Sequence, residues 1–262
     1  MLDYSFIKDK ARRERIDEVT VEREYYQLLF LQRLYLYKGS ENFHFKGGTA
    51  IRFLLHSFRF SEDLDFTFKG RSPEAEAILN KTFDFFIKNS PQKVEVKKTR
   101  VPERFKDFSL GYRFLFLPTG KSQKVSIRIE VSLREQPLTS KSTLLTPFDY
   151  PISPYPLVVH LSFEEIFAEK IRALLVRKKP RDIFDFWFLC TKKVKLRKDF
   201  VQEKMKLYPQ LKISKEILKQ IITSIPEKEM RQDLNQFLPF THRKITKLLK
   251  EESLKFANQL LL

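Results

Sequence analysis

Residues 43–68 read FHFKGGTAIRFLLHSFRFSEDLDFTF, and the order of parts in that stretch decides the fold: an alternating run, a Gly-Gly-Thr turn, a short helical run, then Asp-x-Asp. The chain has only 6 glycines in 262 residues, yet two stand side by side as Gly47 and Gly48. Adjacent glycines let backbone amides approach a phosphate with no Cβ in the way. Residues 50–55 read as a brief helix whose N-terminus would face an anion held at the turn. Asp63 and Asp65 fall on a strand-like run, so their carboxylates share one face while Leu64 and Phe66 turn toward a core. That geometry can hold Mg²⁺. An Asp-x-Asp pair alone also fits surface aspartates on an ordinary strand, so the joint pattern with the glycine turn carries the reading.

Working outward, Phe43 to Phe45 forms the strand that delivers the chain to the turn, and residues 1–38 read as helical. Residues 21–37 are apolar around much of the circumference, which predicts a well-buried helix. A helix is expected over residues 73–88, followed by strands at 94–97, 112–117 and 125–133. Pro118 to Lys121 supplies a turn between the last two of these, which predicts a hairpin. In the final strand Val125, Ile127, Ile129, Val131 and Leu133 share the apolar face, leaving Arg128 and Glu130 on the polar one. Residues 134–161, with Pro147, Pro151, Pro154 and Pro156, read as an extended connector. From Ser162 onward the chain reads as helical to its end. The expected organisation is an α/β (α+β) domain at 1–155 with a mixed or antiparallel sheet, then a mostly α-helical half at 156–262.

A second constellation lies in that helical half. Ser162 and Glu165 have the spacing of a capping box and start a helix running to about Arg177. Lys170 lies beside its apolar stripe of Ile166, Phe167, Ile171 and Leu174, where a lysine either snorkels to water or meets an anion. Pro180 suits the first turn of the next helix and Asp182 its positive end. Asp185 is spaced for an i,i+4 pair with Arg181.

Composition sets the remaining bounds. The chain is 42% hydrophobic and 14% aromatic, with 26 Phe, which marks a globular protein. No apolar run reaches the roughly 20 residues that span a bilayer, and the first fifteen residues lack a signal-peptide core, so a cytoplasmic protein is expected. The single Cys190 excludes an intramolecular disulfide and a cysteine-built zinc site, and reads as a small core residue. A net charge of +17 suits a polyanionic partner such as nucleic acid, and equally a lysine-rich solvated surface.

The quoted stretch resembles the nucleotidyltransferase signature of the DNA polymerase β superfamily. More narrowly, Arg59-Phe60-Ser61-Glu62-Asp63-Leu64-Asp65-Phe66 is similar to the Arg-x-Ser-x-Asp-Leu-Asp-Phe of the AbiEii toxins. Ala168-Glu169-Lys170 followed by Arg181-Asp182-Ile183-Phe184-Asp185 resembles that group's second signature. The resemblance spans residues 40–190, and the C-terminal part carries no motif of its own.

It implies transfer of an NMP from an NTP with Mg²⁺, or Mn²⁺ in its place. Asp63 and Asp65 would be metal ligands, with Glu130 as a third carboxylate from a later strand. Gly47, Gly48 and Thr49 would hold phosphates, helped by Lys170, while Arg59 and Ser61 position the triphosphate or the acidic strand. Asp182 would orient Lys170 or accept the proton of the attacking hydroxyl. Arg52 and His56, in and after the short helix, would bind phosphate or RNA, or face solvent. Relatives of this kind modify the 3′ end of tRNA under the control of an antitoxin. Other acceptors, a small hydroxylated molecule or a protein, fit the same residues, as does a non-catalytic RNA-binding scaffold. Which NTP is used and the oligomeric state have no signal in the sequence.

Overall fold

The alternation at the two ends of the quoted stretch yields neighbouring antiparallel strands, joined through the glycine turn and a helix. The computed structural model describes residues 4–100, 108–117, 124–146 and 149–260. The chain forms two compact units: one comprises the chain up to His56 together with Phe60–Leu161, the other Ser57–Arg59 together with Ser162–Leu262.

In the first unit the elements run α1 (Tyr4–Glu14), α2 (Glu18–Leu34), β1 (Phe43–Lys46), α3 (Gly47–Leu55), β2 (Asp63–Phe68), α4 (Ser72–Asn89), β3 (Lys93–Lys98), β4 (Ser109–Leu117), β5 (Val125–Ser132), β6 (Lys141–Leu144) and β7 (Leu157–His160). The strands form one mixed 7-stranded sheet in the order β3-β4-β5-β2-β1-β7-β6. The β2/β5 and β1/β7 pairs are parallel and the others antiparallel. β4 and β5 pair antiparallel from Ser109 opposite Ser132 to Phe116 opposite Val125, as the expected hairpin requires. The Pro118 to Lys121 turn lies outside the described residues, as does Pro147.

Asp17 caps α2 by accepting from the Thr20 amide at 2.8 Å. The helix buries Val21, Leu28, Phe30, Leu31 and Leu34 against α4 and the sheet. Phe30 meets Phe83, Phe86 and Phe114, and Phe66 meets Phe43 and Phe45, so tilted, edge-on and stacked ring contacts fill this core.

The proline-rich stretch departs from the expected plain connector. It contains the β6/β7 hairpin, paired from Lys141 opposite His160 to Leu144 opposite Leu157. β7 joins the sheet beside β1, and the Leu161 amide donates to the Phe45 carbonyl at 3.2 Å. Backbone pairing therefore carries the first unit through Leu161, past the expected break at 155/156.

The second unit is helical: α5 (Phe163–Arg177), α6 (Pro180–Thr191), α7 (Lys198–Met205), α8 (Lys215–Ser224), α9 (Glu227–Asn235), a 3₁₀ segment (Phe240–Lys247) and α10 (Leu249–Gln259). Ser162 caps α5 by accepting from the Glu165 amide at 3.3 Å, and Pro180 occupies the first turn of α6. The buried Glu165 carboxylate pairs with Lys204 at 2.7 Å, which ties α5 to α7. Phe58, from the short segment that belongs to this unit, lies against Phe184, Trp187 and Phe188 and stacks on His242.

Candidate active site

Gly47 begins α3 at a φ of +79°, in the left-handed region that favours glycine. Its missing side chain matters as much as its φ. A Cβ built there would fall 2.9 Å from Asp65 Cγ and closer still to Oδ2, so the carboxylate lies directly over the turn. The Thr49 hydroxyl donates to the Asp63 carbonyl, which fastens the first turn of α3 to the start of β2. Asp63 and Asp65 are half-buried while Leu64 and Phe66 are buried, as the alternation predicts. Lys46, the register partner of Asp65 on β1, is buried with its Nζ 4.0 Å from Glu135.

On the other side of β2, the parallel pairing with β5 sets Asp63 opposite Arg128 and Asp65 opposite Glu130. Glu130 thus stands beside Asp65, and Arg128 Nη2 bonds its Oε1 at 2.6 Å. Arg128 Nε also lies 3.9 Å from Asp63 Oδ1. Partial burial lowers the guanidinium's pKa, but Glu130, Asp63 and Asp65 outweigh it and hold the pKa above its ordinary value. Among the described residues no group of three or more His, Cys, Asp or Glu gathers closely enough to hold a metal alone.

α2 braces the lead-in to β2. Buried Gln27 donates from Nε2 to the Ser61 carbonyl at 3.1 Å, while Arg23 meets Glu62 at 3.2 Å and the Ser126 carbonyl at 3.1 Å. The sequence reading missed both residues. Both stand among the many polar residues of α2, so no local signal singled them out.

In the second unit the α5/α6 pair assembles the other motif. Lys170 is buried, with Nζ 3.3 Å from Asp182 Oδ1 and 2.6 Å from Asp185 Oδ2. It meets anions, as one of the two sequence readings had it, and does not snorkel. Arg177 shares Asp182 Oδ1 at 2.8 Å, while Asp182 Oδ2 is buried without a hydrogen-bond partner.

Three basic residues find other roles than expected. Arg59 does not stand open to a triphosphate: it is buried and grips Asp185 through Nε at 3.0 Å and Nη2 at 2.9 and 3.0 Å. Burial alone would raise the Asp185 carboxyl, but the charges of Arg59 and Lys170 hold it below its ordinary value. Arg181 turns away from Asp185, whose oxygens are taken, and lies 3.9 Å from Asp233. Arg52 faces neither phosphate nor solvent; it is buried, paired to Glu24 at 2.6 and 3.0 Å and stacked over Phe60. His56 is exposed and closes α3 in the left-handed conformation. Cys190 is half-buried with its thiol pushed up to about 12 by burial, which leaves it inert as a nucleophile.

A family model described as nucleotidyl transferase AbiEii toxin, type IV TA system, matches residues 29–253. The chain belongs to this family. The AbiEii match runs well beyond the two motifs that carry the resemblance, through nearly all of the second unit. The fold is also that of MenT4, a nucleotidyltransferase toxin from Mycobacterium tuberculosis H37Rv, at 17% identity and a TM-score of 0.66 over 100% of this chain and 91% of MenT4. JHP933 from Helicobacter pylori superposes at 17% identity and a TM-score of 0.50, over 93% of this chain and 94% of that one. Comparison with curated proteins finds no match. As an AbiEii protein the chain is a nucleotidyltransferase toxin of the toxin–antitoxin type, and its family implies a cognate antitoxin. Among the described residues no helix is long and apolar enough to cross a membrane.

Proposed function

We propose that this AbiEii protein transfers a nucleotide from an NTP to the 3′ end of tRNA in a reaction that needs Mg²⁺, with Mn²⁺ as a substitute. One observation carries the reading: the Asp65 carboxylate fills the space over Gly47 where any other residue would put a Cβ. That closeness brings carboxylate oxygens and the N-terminal amides of α3 to one spot, which suits a polyphosphate and its cation together.

The donor set fits a hard divalent ion. Mg²⁺ is typically held by one or two carboxylates and completes its shell with water and substrate phosphates, so Asp63 and Asp65 suffice without a full protein cage. When bound, the ion would lower the pKa of the attacking hydroxyl and neutralise charge on the leaving pyrophosphate. The Gly47 and Gly48 amides donate to phosphate oxygens, and Thr49, through its bond to the Asp63 carbonyl, fixes the strand that presents the carboxylates. Ser61, held through its carbonyl by Gln27, sets the approach to that strand. In the second unit Lys170 is a buried cation held by Asp182 and Asp185, and Asp182, with one buried oxygen lacking a hydrogen-bond partner, orients that lysine.

An RNA acceptor is supported by the net charge of +17 and by exposed Lys192, Lys193, Lys195 and Lys198 in the second unit. Arg197 adds less, because it is bound to Asp199. The test is label transfer from each of the four α-³²P NTPs with Mg²⁺ and total tRNA, comparing the native protein with Asp65→Asn. Label on tRNA should fall at least about a hundredfold in the variant, the scale of removing one electrostatic stabiliser of the transition state. Label that appears on protein or a small hydroxylated molecule and never on RNA would sink the tRNA reading.

A further inference from the structure

We infer that Arg128 is a built-in counter-ion for the acidic strand face, holding with its guanidinium the position that a divalent cation takes over on binding. The inference rests on the metal-binding reading above and concerns a residue with no role in the family resemblance.

Asp63, Asp65 and Glu130 share one face across β2 and β5, and Arg128 joins that face because it lies two residues from Glu130 on the same strand. Its guanidinium reaches both strands, at 2.6 Å from Glu130 Oε1 and 3.9 Å from Asp63 Oδ1. Like charges set directly opposite on paired strands destabilise a sheet, and a cation between them removes the penalty. A resident arginine does this without a bound ion.

The same arginine can also leave. Its side chain is 48% exposed, so its pair with Glu130 is weak and opens to water at little cost, unlike a buried pair such as Arg59 and Asp185. A divalent ion arriving at Asp63 and Asp65 must work against a unit positive charge a few ångströms away. Interactions of like charges at that range in a half-exposed site amount to roughly tenfold or more in affinity. Arg128 therefore weakens cation binding to the empty protein and favours binding when a polyanion is present to receive the displaced guanidinium. The consequence is an enzyme that keeps its acidic face neutralised until nucleotide and metal come together.

The experiment is Mn²⁺ titration of the full chain without NTP, following the free-ion signal by electron paramagnetic resonance, for the native protein, Arg128→Gln, Arg128→Lys and Asp65→Asn. Arg128→Gln should bind Mn²⁺ roughly tenfold more tightly than native, Arg128→Lys in between, and Asp65→Asn should lose binding. Thermal melts in EDTA and in Mn²⁺ provide a second readout. Arg128→Gln should melt below native in EDTA and gain more from Mn²⁺; Arg128→Lys keeps the test alive if the glutamine variant does not fold. Equal or weaker binding in Arg128→Gln, with binding still lost in Asp65→Asn, overturns the counter-ion role and leaves the metal site standing. No Mn²⁺ bound by any of the four proteins overturns the metal-binding reading, and this inference with it.

Discussion

At Gly47 one missing methyl group separates a working turn from an obstructed one. Gly47→Ala must adopt a φ of +79°, which costs a non-glycine residue about 1–2 kcal/mol, and must also push the Asp65 carboxylate aside. Urea unfolding should show a loss of at least that size, and transfer activity should fall further than stability does; unchanged activity would remove the turn from the site. Asp185 carries a different load. Asp185→Asn leaves Arg59 and Lys170 buried without their shared anion and should cost about 3–5 kcal/mol. Its pH signature follows from the sign of the shift. The folded carboxyl titrates below its ordinary 3.8, so the unfolded chain binds the proton first as pH falls. The native protein should lose this contribution progressively below about pH 4, and the variant should lack that part of the acid limb in denaturation curves recorded at stepped pH. The aspartates were legible because alternation fixes their face whatever the partner strand. Arg59 was not: its partner lies 126 positions away, and no local pattern announces a pair at that distance.

Elements with a clear period or a marked turn beside them announced themselves, as even the four-residue β1 did next to Gly47, and those without either did not. β2 was legible because Asp63, Leu64, Asp65 and Phe66 alternate in polarity, and β5 because four branched residues line one face. β6 and β7 stayed hidden, since four-residue strands among prolines and serines carry too little period to stand out. What closes that hairpin is partly polar: His160 Nε2 lies 2.9 Å from the Thr143 hydroxyl, and His160 Nδ1 lies 2.6 Å from the Leu161 carbonyl. Burial lowers the imidazole below its ordinary 6.5, with the nearby His44 and Lys141 acting in the same direction. The unfolded chain therefore takes up this proton before the folded one does, so the contribution is complete above pH 6.5 and declines as pH drops below it. His160→Gln should flatten that slope between pH 7 and 5 in thermal melts; an unchanged slope would assign the pH dependence elsewhere.

Across the whole molecule, the division into two halves was legible from the change in periodicity after Ser162, but its detail was not. The second unit takes Ser57, Phe58 and Arg59 from the middle of the first unit's sequence, with Phe58 among Phe184, Trp187 and Phe188 and Arg59 on Asp185. A fragment beginning at Ser162 should therefore be poorly folded, with a broad melt by circular dichroism and rapid amide exchange in α6. Supplying a peptide that spans residues 57–59 with flanking sequence should sharpen the melt. A fragment that folds cooperatively on its own would show that the borrowed segment is dispensable. The borrowing also bears on how such a chain can be inherited. Because the polypeptide passes from one unit to the other at three places, no single recombination breakpoint separates them. A lineage could not exchange the helical half for another by one crossover, and the two halves should descend together.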